Sequence, residues 1–296
     1  MQRLTPHLLR SGCDFLHALV NLLEGQTMLK SLDLSNAGLT VDQGLRLLLA
    51  VCKNCGETLH SLKIFKLMTP ELGLDIGTDA RYLMALSQFV NVSVLRVNHT
   101  YMSDDVLFLL SAHGKLKDLA IHAEYYYYGR ADSRTSEEAW QLLTLKCPDL
   151  EVTFVIKGVS HDQSLCDILT PSIPLCMLLW FPANYTTSFN TKNCFQHIAS
   201  HFQKSLRDLV LFLDFSFLND EEDIANVIAK CTCLNTLIID SKMKVQQQIR
   251  VERAIRKAVG QQPDHRLQTV IINNEVINLE ETWLTSLIGW LVVLVN

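Results

Sequence analysis

The chain is short of charge. Of its 296 residues only 19% are Asp, Glu, Lys or Arg, and the net charge is −5. Proteins that hold nucleic acid through its phosphates carry a basic excess, so a nucleic-acid partner is not expected. Signature chemistry is scarce too. The sequence has no G-x-S-x-G, no G-x-x-x-x-G-K-[ST] and no dinucleotide fingerprint. Cys52-Lys-Asn-Cys55 is a lone C-x-x-C. A structural zinc site needs a second ligand pair, and none stands at a matching distance, so the pair reads as a helix end with one buried cysteine. His161-Asp162 and Asp264-His265 are neighbours with no nucleophile argued beside them, and Asp220-Glu-Glu-Asp223 reads as an acidic helix N-terminus matched to its dipole. Nothing here calls for catalysis, a metal or a cofactor, and the expectation is a non-enzyme without cofactors.

A secretory leader is also missing from the reading. Met1 to Ser11 mixes Arg3, His7 and Arg10 through its apolar residues. Nine cysteines lie at irregular spacings and the count is odd, which suits small buried thiols in a reducing cytoplasm or nucleus rather than a disulfide frame. Three sequons, at Asn91, Asn98 and Asn184, are therefore expected to stay unmodified. The last 15 residues, Thr282 to Asn296, are uncharged and strongly apolar. A helix that crosses a bilayer needs about 20, so a membrane partner is not expected. The segment reads as a cap over the open end of the fold, as a divergent terminus, or as a membrane tail.

What the chain has is repetition. Leu29, Leu32 and Leu34 form an L-x-x-L-x-L phrase, and Leu59, Leu62 and Ile64 form another. Further copies start at Val92, Leu116, Leu206, Leu234 and Leu267, with weaker ones at Leu150 and Leu175. The nine phrases are spaced 24 to 34 residues apart, with amphipathic helical stretches such as Thr40–Cys52 and Glu222–Lys230 between them. Thr40, Ser103, Ser136 and Asp220 stand where helix caps belong. This period predicts an α/β fold, a right-handed leucine-rich-repeat solenoid shaped as a horseshoe, with parallel strands on the concave face and helices on the convex face. The expected divisions are an N-terminal helix or incomplete repeat (1–28), about nine repeats (29–275) and an apolar tail or cap (276–296).

Alternation within a strand predicts that the fourth and sixth positions of each phrase face the core and the fifth and seventh face the concave surface. Asp33, Ser35, Lys63, Phe65, Arg96, Asn98, Ala120 and His122 then make the early half of that surface polar. Phe154, Ile156, Leu179, Phe181, Val210, Phe212, Ile238 and Asp240 make the later half apolar, a candidate site for a protein partner. Cover by the chain's own tail would exclude that reading. A second candidate is the loop carrying Tyr125, Tyr126, Tyr127, Tyr128 and Arg130, residue types that binding hot spots favour; the plainer reading is a solvated excursion.

Ser31 to Gly44 (SLDLSNAGLTVDQG) resembles the segment after the first repeats in a group of F-box only proteins. Asn98 to Leu109, Cys147-Pro-Asp-Leu150 with Val152 to Val155, and Ile173-Pro-Leu175 are similar to the same group, so the resemblance runs from about residue 25 to 275. It implies the substrate-binding part of a Skp–cullin–F-box ubiquitin ligase, with a protein substrate on the repeats and the Skp adaptor and cullin held through an F-box. Neither the leucine–proline start nor the valine–cysteine and tryptophan end of an F-box occurs in the first 28 residues, so no residue is assigned to the adaptor. Thr5 to Glu24 reads instead as one amphipathic helix. The expectation is the repeat domain of such a receptor: a fragment, a short isoform or a relative without the F-box. The alternative is a free-standing repeat scaffold or inhibitor unrelated to ubiquitin.

Overall fold

The computed structural model describes residues 13–69, 75–124, 135–159, 162–182, 191–213, 221–241, 243, 245–261 and 266–277. Each phrase becomes a strand. In chain order these are β1 (Ser31–Asp33), β2 (Ser61–Lys63), β3 (Val94–Asn98), β4 (Asp118–Glu124), β5 (Glu151–Val159), β6 (Leu175–Pro182), β7 (Asp208–Leu213), β8 (Thr236–Ser241) and β9 (Thr269–Ile272), with β10 (Glu275–Ile277) following. They form one sheet in sequence order. β1 to β9 are parallel and β10 returns antiparallel against β9. The return turns on Asn273 and Asn274, both at positive φ, as a tight hairpin requires.

Helices fill the intervals: α1 (Cys13–Glu24), α2 (Val41–Cys55), α3 (Ala80–Gln88), α4 (Asp104–His113), α5 (Glu137–Lys146), α6 (Asp162–Ile168), α7 (Thr191–His201), α8 (Glu221–Lys230) and α9 (Val245–Gly260). Their starts follow from local chemistry. Thr40 and Gln43 exchange capping hydrogen bonds at α2. Ser103 and Ser136 cap α4 and α5, each ahead of two acidic residues in the first turn. Gly114 ends α4 in the left-handed conformation. Asp220 lies outside the described residues, as do Tyr125–Tyr128, Arg130 and the apolar segment 278–296.

One continuous core joins the inward positions of the strands to the buried faces of the helices, from Leu16 to Ile277. Two contacts show how repeats lock together. The buried Tyr101 hydroxyl donates to the Met68 carbonyl at 3.1 Å and accepts from the Met68 amide at 2.9 Å, one repeat away. Gly77 lies so close to the Met102 backbone that a Cβ there would sit 2.9 Å from its carbonyl group. Cys55 closes α2 as a buried thiol donating to the Gln26 carbonyl, and Cys231 and Cys233 lie in the turn between α8 and β8.

Register is not uniform along the sheet. Leu32, Leu62, Leu95 and Leu119, the fourth positions of the early phrases, align in one row that continues to Val152. The row above it runs Val97, Ile121, Phe154, Leu178, Leu209, Leu237 and Val270. Sixth positions early thus meet fourth positions late: the later phrases are displaced by two residues, one taken up between Leu150 and the inward Val152 and one at a register shift between β5 and β6. A shift of two keeps every side chain on its own face.

Candidate functional site

The face of the sheet away from the helices is built from four rows, the first of which runs Ser31, Ser61, Val94, Asp118 and Glu151. The second reads Asp33, Lys63, Arg96, Ala120, Thr153, Met177, Asp208, Thr236 and Thr269. The next reads Asn98, His122, Val155, Leu179, Val210, Ile238 and Ile271. The strands lengthen from three residues in β1 to nine in β5, so a further row exists only from the middle of the sheet onward. It holds Glu124, Lys157 and Phe181, with Phe212 beside Asp240 beyond them.

Two predicted site residues do not belong here. Phe154 and Ile156 pack in the main core, 1% and 0% exposed. The turn from Leu150 into β5 explains the error. Three residues separate Leu116 from the inward Leu119, but only two separate Leu150 from the inward Val152. A slip of one exchanges the faces. Val155 and Lys157 occupy the positions assigned to Phe154 and Ile156. Leu179, Phe181, Val210, Phe212, Ile238 and Asp240 do lie on the predicted face, because their phrases keep the standard spacing.

Their exposure differs from expectation. Val155, Leu179, Val210, Ile238 and Ile271 form a second apolar cluster, separate from the core and buried. Met177, Phe181 and Phe212 at its edge are half-buried, the two rings stacked at 4.0 Å and nearly parallel, and Asp240 is exposed. An open row of large apolar side chains is therefore not what this face presents.

The early half offers more accessible groups. Lys63, Phe65, Arg96 and Asn98 are half-buried and Lys66 is exposed. Lys66 reaches Glu124 at 2.9 Å, and Lys157 lies 4.0 Å from the same carboxylate. Each lysine also stands over a ring, Lys66 over Phe65 and Lys157 over Phe181, at 5.1 Å in both cases. Phe65 packs on the His122 imidazole with centroids 3.9 Å apart. Burial, and then the cations Lys157, Arg96 and Lys66, pushes His122 down to about 3, so the ring is neutral at neutral pH. Asp118 is raised by burial against the opposing pull of Arg96. The Arg96 Nε is enclosed and has no hydrogen-bond partner among the described residues. The chain of Phe65, Lys66, Glu124, Lys157 and Phe181 was missed from sequence. Glu124 and Lys157 fall beyond the L-x-x-L-x-L phrase, and only strand length shows that they share a row.

Among the described residues no three His, Cys, Asp or Glu side chains converge as a metal site would require, and no helix is long and apolar enough to cross a membrane. No family model matches the chain, and no curated relative matches it. Among solved structures it is similar to the crystal structure of the TLR13–ssRNA13 complex, at 13% identity and a TM-score of 0.39, over 85% of this chain and 33% of that one. The chain spans about a third of that protein's length, and a likeness of this size says nothing about what it binds.

Proposed function

We propose that this chain is a non-catalytic recognition module of the leucine-rich-repeat kind, and that it takes a protein partner on the β1–β4 half of the face away from the helices. The observation that carries this is the group of accessible cations on that half, Lys63 and Arg96 half-buried on adjacent strands with Lys66 exposed near them. Acidic or carbonyl groups on a partner would pair with these cations through charge-assisted hydrogen bonds. Phe65 and the paired lysines extend the surface with an aromatic and cationic edge of the type that interfaces favour. The resemblance of Ser31–Gly44 and Asn98–Leu109 to F-box only proteins makes the partner the substrate of a ubiquitin ligase.

Proximity labelling with the full chain in cells would nominate partners, and the purified candidate would then be titrated against the wild type, a Lys63→Glu/Arg96→Glu variant and a Lys146→Glu control on α5. At least tenfold weaker binding by the double variant alone is expected. Equal binding by all three would refute the assignment to this face. Recovery of the Skp adaptor and a cullin with the partner supports the ligase role; a partner recovered repeatedly without them points to the free-standing scaffold.

A further inference from the structure

Two described cysteines give their thiols to the backbone: Cys52 donates to the Leu49 carbonyl at 3.1 Å and Cys55 to the Gln26 carbonyl at 3.0 Å. Cys166 on α6 and Cys194 on α7 also meet each other. Their thiols share a hydrogen bond between neighbouring repeats. Both are free, Cys194 buried and Cys166 half-buried. We propose that this pair is an oxidation site, at which a hydroperoxide oxidises Cys166 and Cys194 then closes on it as a reversible disulfide joining α6 to α7.

Placement, access and charge each support this. The two helices are tied together about one turn from Cys166: Asn193 Nδ2 donates to Asp162 Oδ2 at 2.7 Å, and Cys194 Sγ lies 3.9 Å from the Asp162 carbonyl it donates to. The pair therefore sits sulfur to sulfur on anchored elements, as a disulfide requires. Access is unequal. An oxidant reaches the half-buried Cys166 and not the buried Cys194, which sets one as the attacking thiol and the other as the resolving one. Charge follows the same division. The hydrogen bond from Cys194 lowers the Cys166 thiol, against burial and the nearby Asp162 and Asp167, and so favours the nucleophilic thiolate. The same contact, and then burial, pushes Cys194 up, so it keeps its proton until Cys166 has reacted.

The chemistry balances with hydrogen peroxide as the oxidant. The Cys166 thiolate attacks one peroxide oxygen, the O–O bond breaks, and hydroxide leaves and takes a proton to become water. Sulfur has lost two electrons and carries the hydroxyl of a sulfenic acid. Cys194 sulfur then attacks Cys166 sulfur. The S–S bond forms, the S–O bond breaks, and the hydroxyl departs with the Cys194 proton as a second water. The bridge joins residues 28 apart and pins α6, the shortest described α-helix at seven residues, to α7. Both lie on the helix side of the sheet, so recognition by β1–β4 does not depend on it.

The test uses the reduced full chain, exposed to hydrogen peroxide, blocked with N-ethylmaleimide and mapped by peptide mass. A protease that cuts after leucine separates Cys166 from Cys176, since Leu169 and Leu175 stand between them. The expected product is a monomer in which the Cys166 and Cys194 peptides are joined, and dithiothreitol should release them. A bridge to any other cysteine, a bridge between two chains, or a Cys166 that stays a thiol or passes to the sulfinic acid unbridged would each overturn the proposal. As a second measure, Cys194→Ala removes the resolving thiol. Labelling of Cys166 by dimedone, which traps sulfenic acid, should then rise several-fold over the wild type, and equal labelling would overturn the assigned roles. The wild-type map needs no substitution, so it decides alone if that variant fails to fold. No partner is needed for either result, so neither can be confused with failure of the recognition reading.

Discussion

The two halves of the sheet, β1–β4 and β5–β9, bury the same kind of residue toward the helices and present opposite kinds on the other face. Inward stand Leu62, Leu95 and Leu119 in the first half and Leu178, Leu209 and Leu237 in the second, all essentially inaccessible. Outward stand Lys63, Arg96 and Asn98 in the first and Val155, Leu179 and Val210 in the second. The repeat thus fixes only one side of each strand. The other side is free to vary, and here it varies from accessible polar and cationic side chains to a buried apolar cluster.

The largest expected effect tests whether the halves share one core. Leu95→Ala and Leu237→Ala each empty a fully buried inward position, and each should destabilise the chain by about 2–5 kcal/mol. Denaturant unfolding followed by fluorescence and by circular dichroism should give one transition, displaced alike by both. Two transitions, each sensitive to one variant, would divide the core into two units.

The next effect belongs to the first half. His99 and His122 are buried there, and burial pushes them down to about 4 and about 3. Unfolded, each titrates near 6.5 and takes up its proton first. The unfolded state therefore binds more protons below that pH, and stability present at neutral pH is lost as the pH falls from about 6.5 toward 4 and below. For His99 the loss is on the order of 3 kcal/mol. Unfolding free energies measured from pH 7.5 to 4.5 should fall, and His99→Gln should flatten the fall. A pH-independent wild type would show that the ring reaches solvent.

Most of the inward side was legible in the sequence, because period and alternation are properties of the chain itself. All nine phrases became strands, and Thr40, Ser103 and Ser136 cap the helices they were expected to start. The outward side was legible only where phrase spacing was standard. One residue fewer between Leu150 and Val152 exchanged the faces of β5, so Phe154 and Ile156 were assigned to the wrong side. Exposure was not legible at all. Leu179 and Val210 are on the predicted face yet buried, among apolar neighbours on the adjoining strands, and no local pattern encodes how those side chains pack together. The pair Glu124 and Lys157 needed strand lengths that the phrase does not specify.

A smaller effect compares the outward faces directly. Val210→Thr exchanges a methyl for a hydroxyl at a site 3% exposed. Buried among apolar neighbours the hydroxyl has little to bond, and the change should be destabilising by about 1–3 kcal/mol. Val94→Thr makes the same exchange on the half-buried outward side of β3 and should stay within about 0.5 kcal/mol. Equal values, measured by denaturant unfolding, would erase the difference between the halves.

The smallest effect lies at their boundary. Lys157 reaches back to Glu124 on β4 and forward over the Phe181 ring on β6, so one cation touches both kinds of surface. Its side chain is 22% exposed and the Glu124 side chain 24%, so the pair is only partly screened. At 4.0 Å the ion pair is loose, and Glu124 keeps the shorter contact to Lys66. Loss of Lys157 therefore leaves Glu124 partnered, and the ring contact is the larger share of what Lys157 contributes. A double-mutant cycle of Lys157→Ala and Phe181→Leu should give a coupling of about 0.5–1 kcal/mol, as for a partly desolvated cation over a ring. A coupling near zero, with a normal cycle for Lys157 and Glu124, would place the lysine wholly in the polar half and move the boundary to β6.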